Sequence, residues 1–477
     1  MKKKLLLFLV ILSFGIIITY PSFPISYNLI SYCDICNGYR NVAFNFLSNG
    51  RVLNFIFYTV FNVIDLPSYS LGFISALLAN IFLALSVTIL YNFVIKNLKF
   101  DNEKYKFLII VSLFLIYYNP LITSVFLLDE AFIICLGIML LTLSAIKIYS
   151  KGISNYILSL VFAILGILCY QRIFSYFFVI LLVIAIFTKE NNIKKTLLGL
   201  LNCMIAFTTN FIFISLISKE AIKFNLLKNI QIIFTRLLPD SLKYYFGFMN
   251  NGLYIYYFVC VISLILLFII LIKNENKFKN FLLFVGILIS SIIIPFVPNL
   301  FMNSSTNYID ALMCLTIDIF PICIVLILIN VKTNKINIFF YIIILILYGF
   351  VSFYSIHQNL MIDIKRYQTD TIYVNDIKTN IEKYELENNQ TIKTVYYIID
   401  KNISSYYPYG FSNGANINIL NVPWAFECAL KNITEKKYRI EKLDTSNYKK
   451  YINDYDDSFE GLQYGFNNNT AYVLIDR

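Results

Sequence analysis

Apolar runs alternate with short polar breaks from the N-terminus to about residue 357, and lysines gather in every second break. Runs at 5–20, 71–95, 107–128, 131–146, 197–217, 254–272, 281–300, 314–330 and 336–356 each predict one membrane crossing, with a kink at Pro120. Residues 156–187 are bounded by Lys147 and Lys151 on one side and by Lys189, Lys194 and Lys195 on the other. If both clusters face the same compartment, this run crosses twice, in helices of roughly 16 residues where a bilayer asks for roughly 20. Its apex, Tyr170, Gln171 and Arg172, is therefore expected below the outer surface.

The total is about eleven transmembrane helices. Lys2, Lys3 and Lys4 place the N-terminus in the cytoplasm, and an odd count sends the C-terminus to the other face. Residues 224–238, apolar and polar at near-helical spacing, read as a helix lying on the membrane surface. From Gln358 the chain turns polar, with a helix-like stretch at 362–384 and strand-like runs at 394–399, 417–422 and 470–475. The expectation is an all-α polytopic membrane protein, residues 1–357, followed by a small extracytoplasmic α/β domain, residues 358–477.

The polar breaks hold the candidate chemistry. Residues 32–53 carry Asp34, Arg40 and Arg51 on the outer side, in a segment that reads either as a solvated loop or as a place where a lipid-borne substrate meets a base. Asp129 and Glu130 form the apex of the next tight outer hairpin. Arg172 at the recessed apex costs about 2.5 to 3.5 kcal/mol on insertion scales without a partner, so it either snorkels to headgroups or meets a phosphate or carboxylate. Asp318, about one turn inside its helix, is a further intramembrane acid. His357, the only histidine, reads as an interfacial residue.

Composition narrows the class. With 58% hydrophobic and 14% charged residues, the chain is not a water-soluble array, and its net charge of +11 is carried by lysine clusters that set orientation. No nucleic-acid partner is expected. Residues 20–24 offer no small-x-small cleavage site, so the first run is expected to remain as a membrane helix. Most of the nine cysteines sit singly in apolar runs. Cys33 and Cys36 form the one close pair, read as a structural disulfide or free thiols before redox chemistry. Without a Walker motif, a nucleotide-driven pump with its own ATPase domain is excluded, and no metal-ligand spacing stands out.

Residues 46–86, FLSNGRVLNFIFYTVFNVIDLPSYSLGFISALLANIFLALS, resemble the start of the GtrII family of membrane glucosyltransferases, which show a similar Asn-Gly-Arg before the second membrane helix. The later LLDEAFIICLGIMLLTLSA and LGILCYQRIFSYFFV are similar to that family's next helices, so the resemblance covers roughly the first 190 residues. It implies a GT-C-like transferase that moves a hexose, glucose above all, from a polyprenyl-phosphate carrier to a surface polysaccharide or lipid-linked glycan. Its place would be the outer face of a bacterial cytoplasmic membrane.

Mapped onto this chain, the resemblance makes Asp34 the first candidate for the base. Asp129 or Glu130 would orient the acceptor, bind a divalent ion or serve as base instead. Arg51 and Arg172 would hold the phosphate, with Arg40, Tyr170 and Gln171 completing the substrate-binding set. The family often carries paired acids in the first loop, where this chain has the single Asp34. The implied partners are the lipid-linked donor, a glycan acceptor and membrane lipids, and no resident cofactor is implied. The competing classes are an O-antigen-type polymerase and a flippase or transporter of lipid-linked sugars, which would show a mid-chain outer loop and repeat symmetry respectively.

Overall fold

The computed structural model describes residues 2–25, 39–64, 68–97, 103–126, 130–188, 192–217, 225–239, 253–273, 277–301, 315–330, 335–399, 423–434, 436–443, 450–454, 456 and 461–476. Of the described residues 82% are helical, and the C-terminal part holds a small sheet. In order the helices are α1 (Lys2–Thr19), α2 (Tyr39–Ser48), α3 (Val52–Val63), α4 (Ser68–Asn97), α5 (Glu103–Tyr117), α6 (Ala131–Tyr149), α7 (Ile153–Cys169) and α8 (Phe174–Phe187). There follow α9 (Asn192–Ile217), α10 (Leu226–Ile232), α11 (Leu253–Lys273), α12 (Lys277–Ile292), α13 (Phe320–Asn330) and α14 (Lys335–Asn388). The last part comprises β1 (Thr394–Ile399), α15 (Pro423–Thr434), β2 (Arg439–Lys442), β3 (Gly461–Asn467) and β4 (Thr470–Asp476).

Helices occupy every run expected to cross, and not all of them reach full crossing length among the described residues. Among the described residues five helices are long and apolar enough, at 71–97, 105–122, 131–149, 194–217 and 338–361. A sixth is added if α12 and the turn Ile294–Leu300, bent by 47° against it, count as one broken span. The shortfall has a physical cause. Helices α7, α8 and α13 have 17, 14 and 11 residues, less than the roughly 20 a full crossing requires. The expected double crossing at 156–187 is two short helices, parted at Tyr170 by the turn Gln171–Ile173.

Two of these helices form the centre of the apolar bundle. Apolar on all sides, α8 is buried along nearly its whole length, and α6 packs against α4, α7, α8 and α9. By contrast α9, α11 and α14 turn Leu216, Tyr254, Phe268 and Phe339 outward, each more than 60% exposed. Such apolar faces suit lipid rather than water, and with the long apolar spans they make this a multi-pass membrane protein. In the stretch expected to be helical at 224–238, the described residues form α10 and a π-helical turn at 233–237. Its Ile233 and Leu237 close on Phe296, and Asn229 Nδ2 donates to the Leu300 carbonyl at 3.0 Å.

The last crossing does not end at residue 357. Helix α14 runs unbroken for 54 residues, about 81 Å, through the expected domain boundary and into the C-terminal part. There Val374, Ile377 and Ile381 of α14 and Phe426, Ala429 and Leu430 of α15 cover one face of a sheet ordered β2-β1-β4-β3. β1 pairs in parallel with both β2 and β4, while β3 and β4 form an antiparallel hairpin through Asn468, at φ +48°. Expected strands at 394–399 and 470–475 are β1 and β4. The one at 417–422 lies outside the described residues, and α15, β2 and β3 were not expected.

Candidate functional site

The turn at Asn49, Gly50 and Arg51 joins α2 to α3 and is gripped from two sides. Gln171 donates its side-chain amide to the Asn49 carbonyl, and Asn210 of α9 donates Nδ2 to the Gly50 carbonyl at 2.8 Å. Gly50 is required here. Its φ is +74°, and a Cβ would come within 2.5 Å of Ile214 and 2.8 Å of the Gln171 amide nitrogen.

Held this way, Arg51 points into the bundle. Its Nη1 donates to Glu130 Oε1 at 2.6 Å, with 19% and 9% of the two side chains exposed. The guanidinium lies 4.3 Å from the centre of the Tyr170 ring and 5.5 Å from that of Phe46, stacking that adds cation–π attraction where water is scarce. Glu130 is the N-cap residue of α6, where a negative charge meets the positive end of the helix dipole. Arg51 is the N-cap of α3, where a cation alone would be unfavourable, and the carboxylate offsets it.

Four of the sequence-identified residues thus meet: Arg51, Glu130, Tyr170 and Gln171. Arg172, 8% exposed, lies on the same turn as Gln171. Asp34 and Asp129 lie outside the described residues, as do Cys33 and Cys36. Arg40 is placed on α2, with its side chain outside what is described. Two contributors were not foreseen. Phe46 forms one wall of the Arg51 stack, and Asn210 was one amide among many in an Asn-rich chain; its position inside an apolar helix was the available signal.

The carboxylate and guanidinium form a neutral pair in a poorly hydrated corner, ringed by an aromatic face and amides. A polar substrate entering it would meet the N–H donors of Arg51 and the carboxylate oxygens of Glu130 side by side. Among the described residues no three His, Cys, Asp or Glu side chains come together to hold a metal ion. Comparison with known proteins identifies no relative: no family model, curated protein or solved structure matches the chain.

Proposed function

We propose that this protein is a membrane glycosyltransferase that moves a hexose from a polyprenyl-phosphate carrier to a glycan on the outer membrane face. The supporting observation is the convergence at one corner of Arg51, Glu130 and Tyr170. They come from three separate turns that the lysine pattern assigns to one side of the membrane. The resemblance of residues 46–86 to the GtrII family supplies the reaction class.

In this reading the acceptor hydroxyl attacks C1 of the sugar, the bond from C1 to the phosphate oxygen breaks, and the hydroxyl proton passes to a carboxylate. Asp34 is the base of first choice. Glu130, oriented by Arg51, holds the acceptor or takes the proton in its place, and Arg172 balances the charge growing on the departing phosphate. The N-terminus is cytoplasmic and the C-terminal domain extracytoplasmic. Cys428 in α15 is disulfide-bonded, a chemistry of oxidising compartments, and agrees with that orientation.

The test is transfer of labelled glucose from a polyprenyl-phosphate donor by purified protein in lipid, with extracted surface glycan as acceptor. The wild type is expected to turn over, and Glu130→Gln to lose at least most of that turnover while keeping its helical content. Absence of transfer by the wild type from any polyprenyl-phosphate hexose would overturn the reading. Movement of intact lipid-linked sugar without bond cleavage would replace it with a flippase.

A further inference from the structure

A second acid lies buried away from the Arg51 corner. Asp318 precedes α13 by two residues and is wholly buried. Its backbone is anchored: the Tyr256 hydroxyl donates to the Asp318 carbonyl at 3.4 Å. Asn119 donates Nδ2 to the nearby Leu315 carbonyl at 2.9 Å and to the Tyr176 hydroxyl at 2.9 Å, and its Oδ1 accepts from the amides of Leu121 and Ile122. The carboxyl itself is left over. Neither oxygen makes a hydrogen bond of normal geometry among the described residues, although the Tyr348 hydroxyl faces it.

Among the described residues, the ionisable groups facing Asp318 are Tyr256 and Cys260 of α11, Tyr176 of α8 and Tyr348 of α14. None of the four is a cation. An ionised carboxylate buried without a countercharge costs far more than a chain can tolerate, so the group is held neutral by a proton.

A second and independent observation shows where that proton can go. Tyr348, Ser352 and Ser355 recur at helical spacing along α14. All three are buried, and none of the three hydroxyls makes a hydrogen bond of normal geometry among the described residues, although Ser352 faces the Tyr348 hydroxyl. Many buried helical hydroxyls, Ser112 and Ser291 among them, bond back to the carbonyl four residues earlier; Ser175 and Ser263 do not, but neither belongs to such a row. Cβ atoms at this spacing are about 5–6 Å apart, so the three side chains share one side of α14, where water can link one hydroxyl to the next.

We propose that Asp318 is a dissociable proton-binding site inside the membrane domain, joined by a file of water molecules along Tyr348, Ser352 and Ser355 of α14 to the solvent beyond that helix's apolar stretch. The step is a simple transfer. The Asp318 carboxyl gives its proton to the first water of the file, which becomes hydronium, and the Tyr348 hydroxyl turns to donate to the carboxylate left behind. Reloading reverses it. Nothing in this site depends on sugar transfer, so its test is separate from that of the proposed function.

Infrared difference spectra of the purified full chain in lipid, taken between neutral and alkaline buffer, read the site directly. The expected result is a protonated-carboxyl C=O band that shifts in D2O and gives way to carboxylate bands at alkaline pH. It should be lost in Asp318→Asn, kept in Glu130→Gln, and slower to exchange after a pH jump in Ser352→Val. If Asp318→Asn does not fold, Asp318→Glu keeps the test open by moving the band's frequency. A spectrum with no such band, a band untouched by alkaline buffer and D2O, or one removed by sodium at constant pH would each overturn the proposal, the last in favour of a cation site.

Discussion

Arg51 reaches Glu130 at 2.6 Å across 79 positions of sequence, and the contact ties the start of α3 to the start of α6. Removing one partner leaves the other charge poorly hydrated, so Glu130→Gln or Arg51→Met alone is expected to cost about 3 kcal/mol. The double variant should cost clearly less than the sum. A double-mutant cycle on unfolding in bicelles checks this, and additive losses would mean the pair carries no coupling.

Two glycines give a sharper contrast. Gly50→Ala must accept a positive φ and push Ile214 and Gln171 aside, so it should lower the melting temperature and loosen the Arg51 corner, with a backbone cost alone of about 1–2 kcal/mol. Gly286→Ala on α12 meets only Leu182, at 3.5 Å, and should be neutral or stabilising. Thermal melts of both variants in lipid decide the matter.

The C-terminal domain should weaken in alkali. Lys436 donates to Glu385 at 2.5 Å, and that bond raises its pKa. Burial, then the bond to Asp376 Oδ2 at 2.7 Å, raises that of Tyr464. Both groups hold their proton more tightly folded than unfolded. Their contribution is therefore complete below pH about 10 and lost as pH rises through the folded pKa values. Fluorescence of Trp424, the only tryptophan, sits on α15 and reports the domain's melting. The midpoint should fall above pH about 10, with a shallower fall in Tyr464→Phe.

Much of this architecture was legible before any coordinates. Lysine clusters and apolar runs placed the helices because a bilayer forces backbone groups to bond internally. The length of 156–187 placed the break at Tyr170, since two crossings did not fit. Of the eleven expected crossings, five or six are long and apolar enough among the described residues, because apolar composition marks a buried short helix such as α13 as readily as a crossing one. The continuity of α14 was missed because polarity changes near His357. The absence of Gly and Pro between 350 and 388 was the signal that the helix continues. Strand β2, Arg-Ile-Glu-Lys, owes its place to pairing with β1 rather than to any pattern of its own.

Orientation has its own check in Cys428. Buried Cys135, Cys169, Cys203, Cys260 and Cys323 are free, whereas Cys428 is disulfide-bonded. Alkylation of the denatured protein, with and without prior reduction, should modify Cys428 only after reduction, and a membrane-impermeant probe should reach a cysteine placed at Asn388 from outside intact cells. A Cys428 thiol that alkylates without reductant would remove the support for an extracytoplasmic domain.

The sugar content of the cell surface tests the proposed transferase most directly. Glycan analysis of cells carrying the wild-type chain, the Glu130→Gln chain or none should show one hexose substituent present in the first and missing from the other two. Identical surface glycans in all three would contradict a transferase on this membrane.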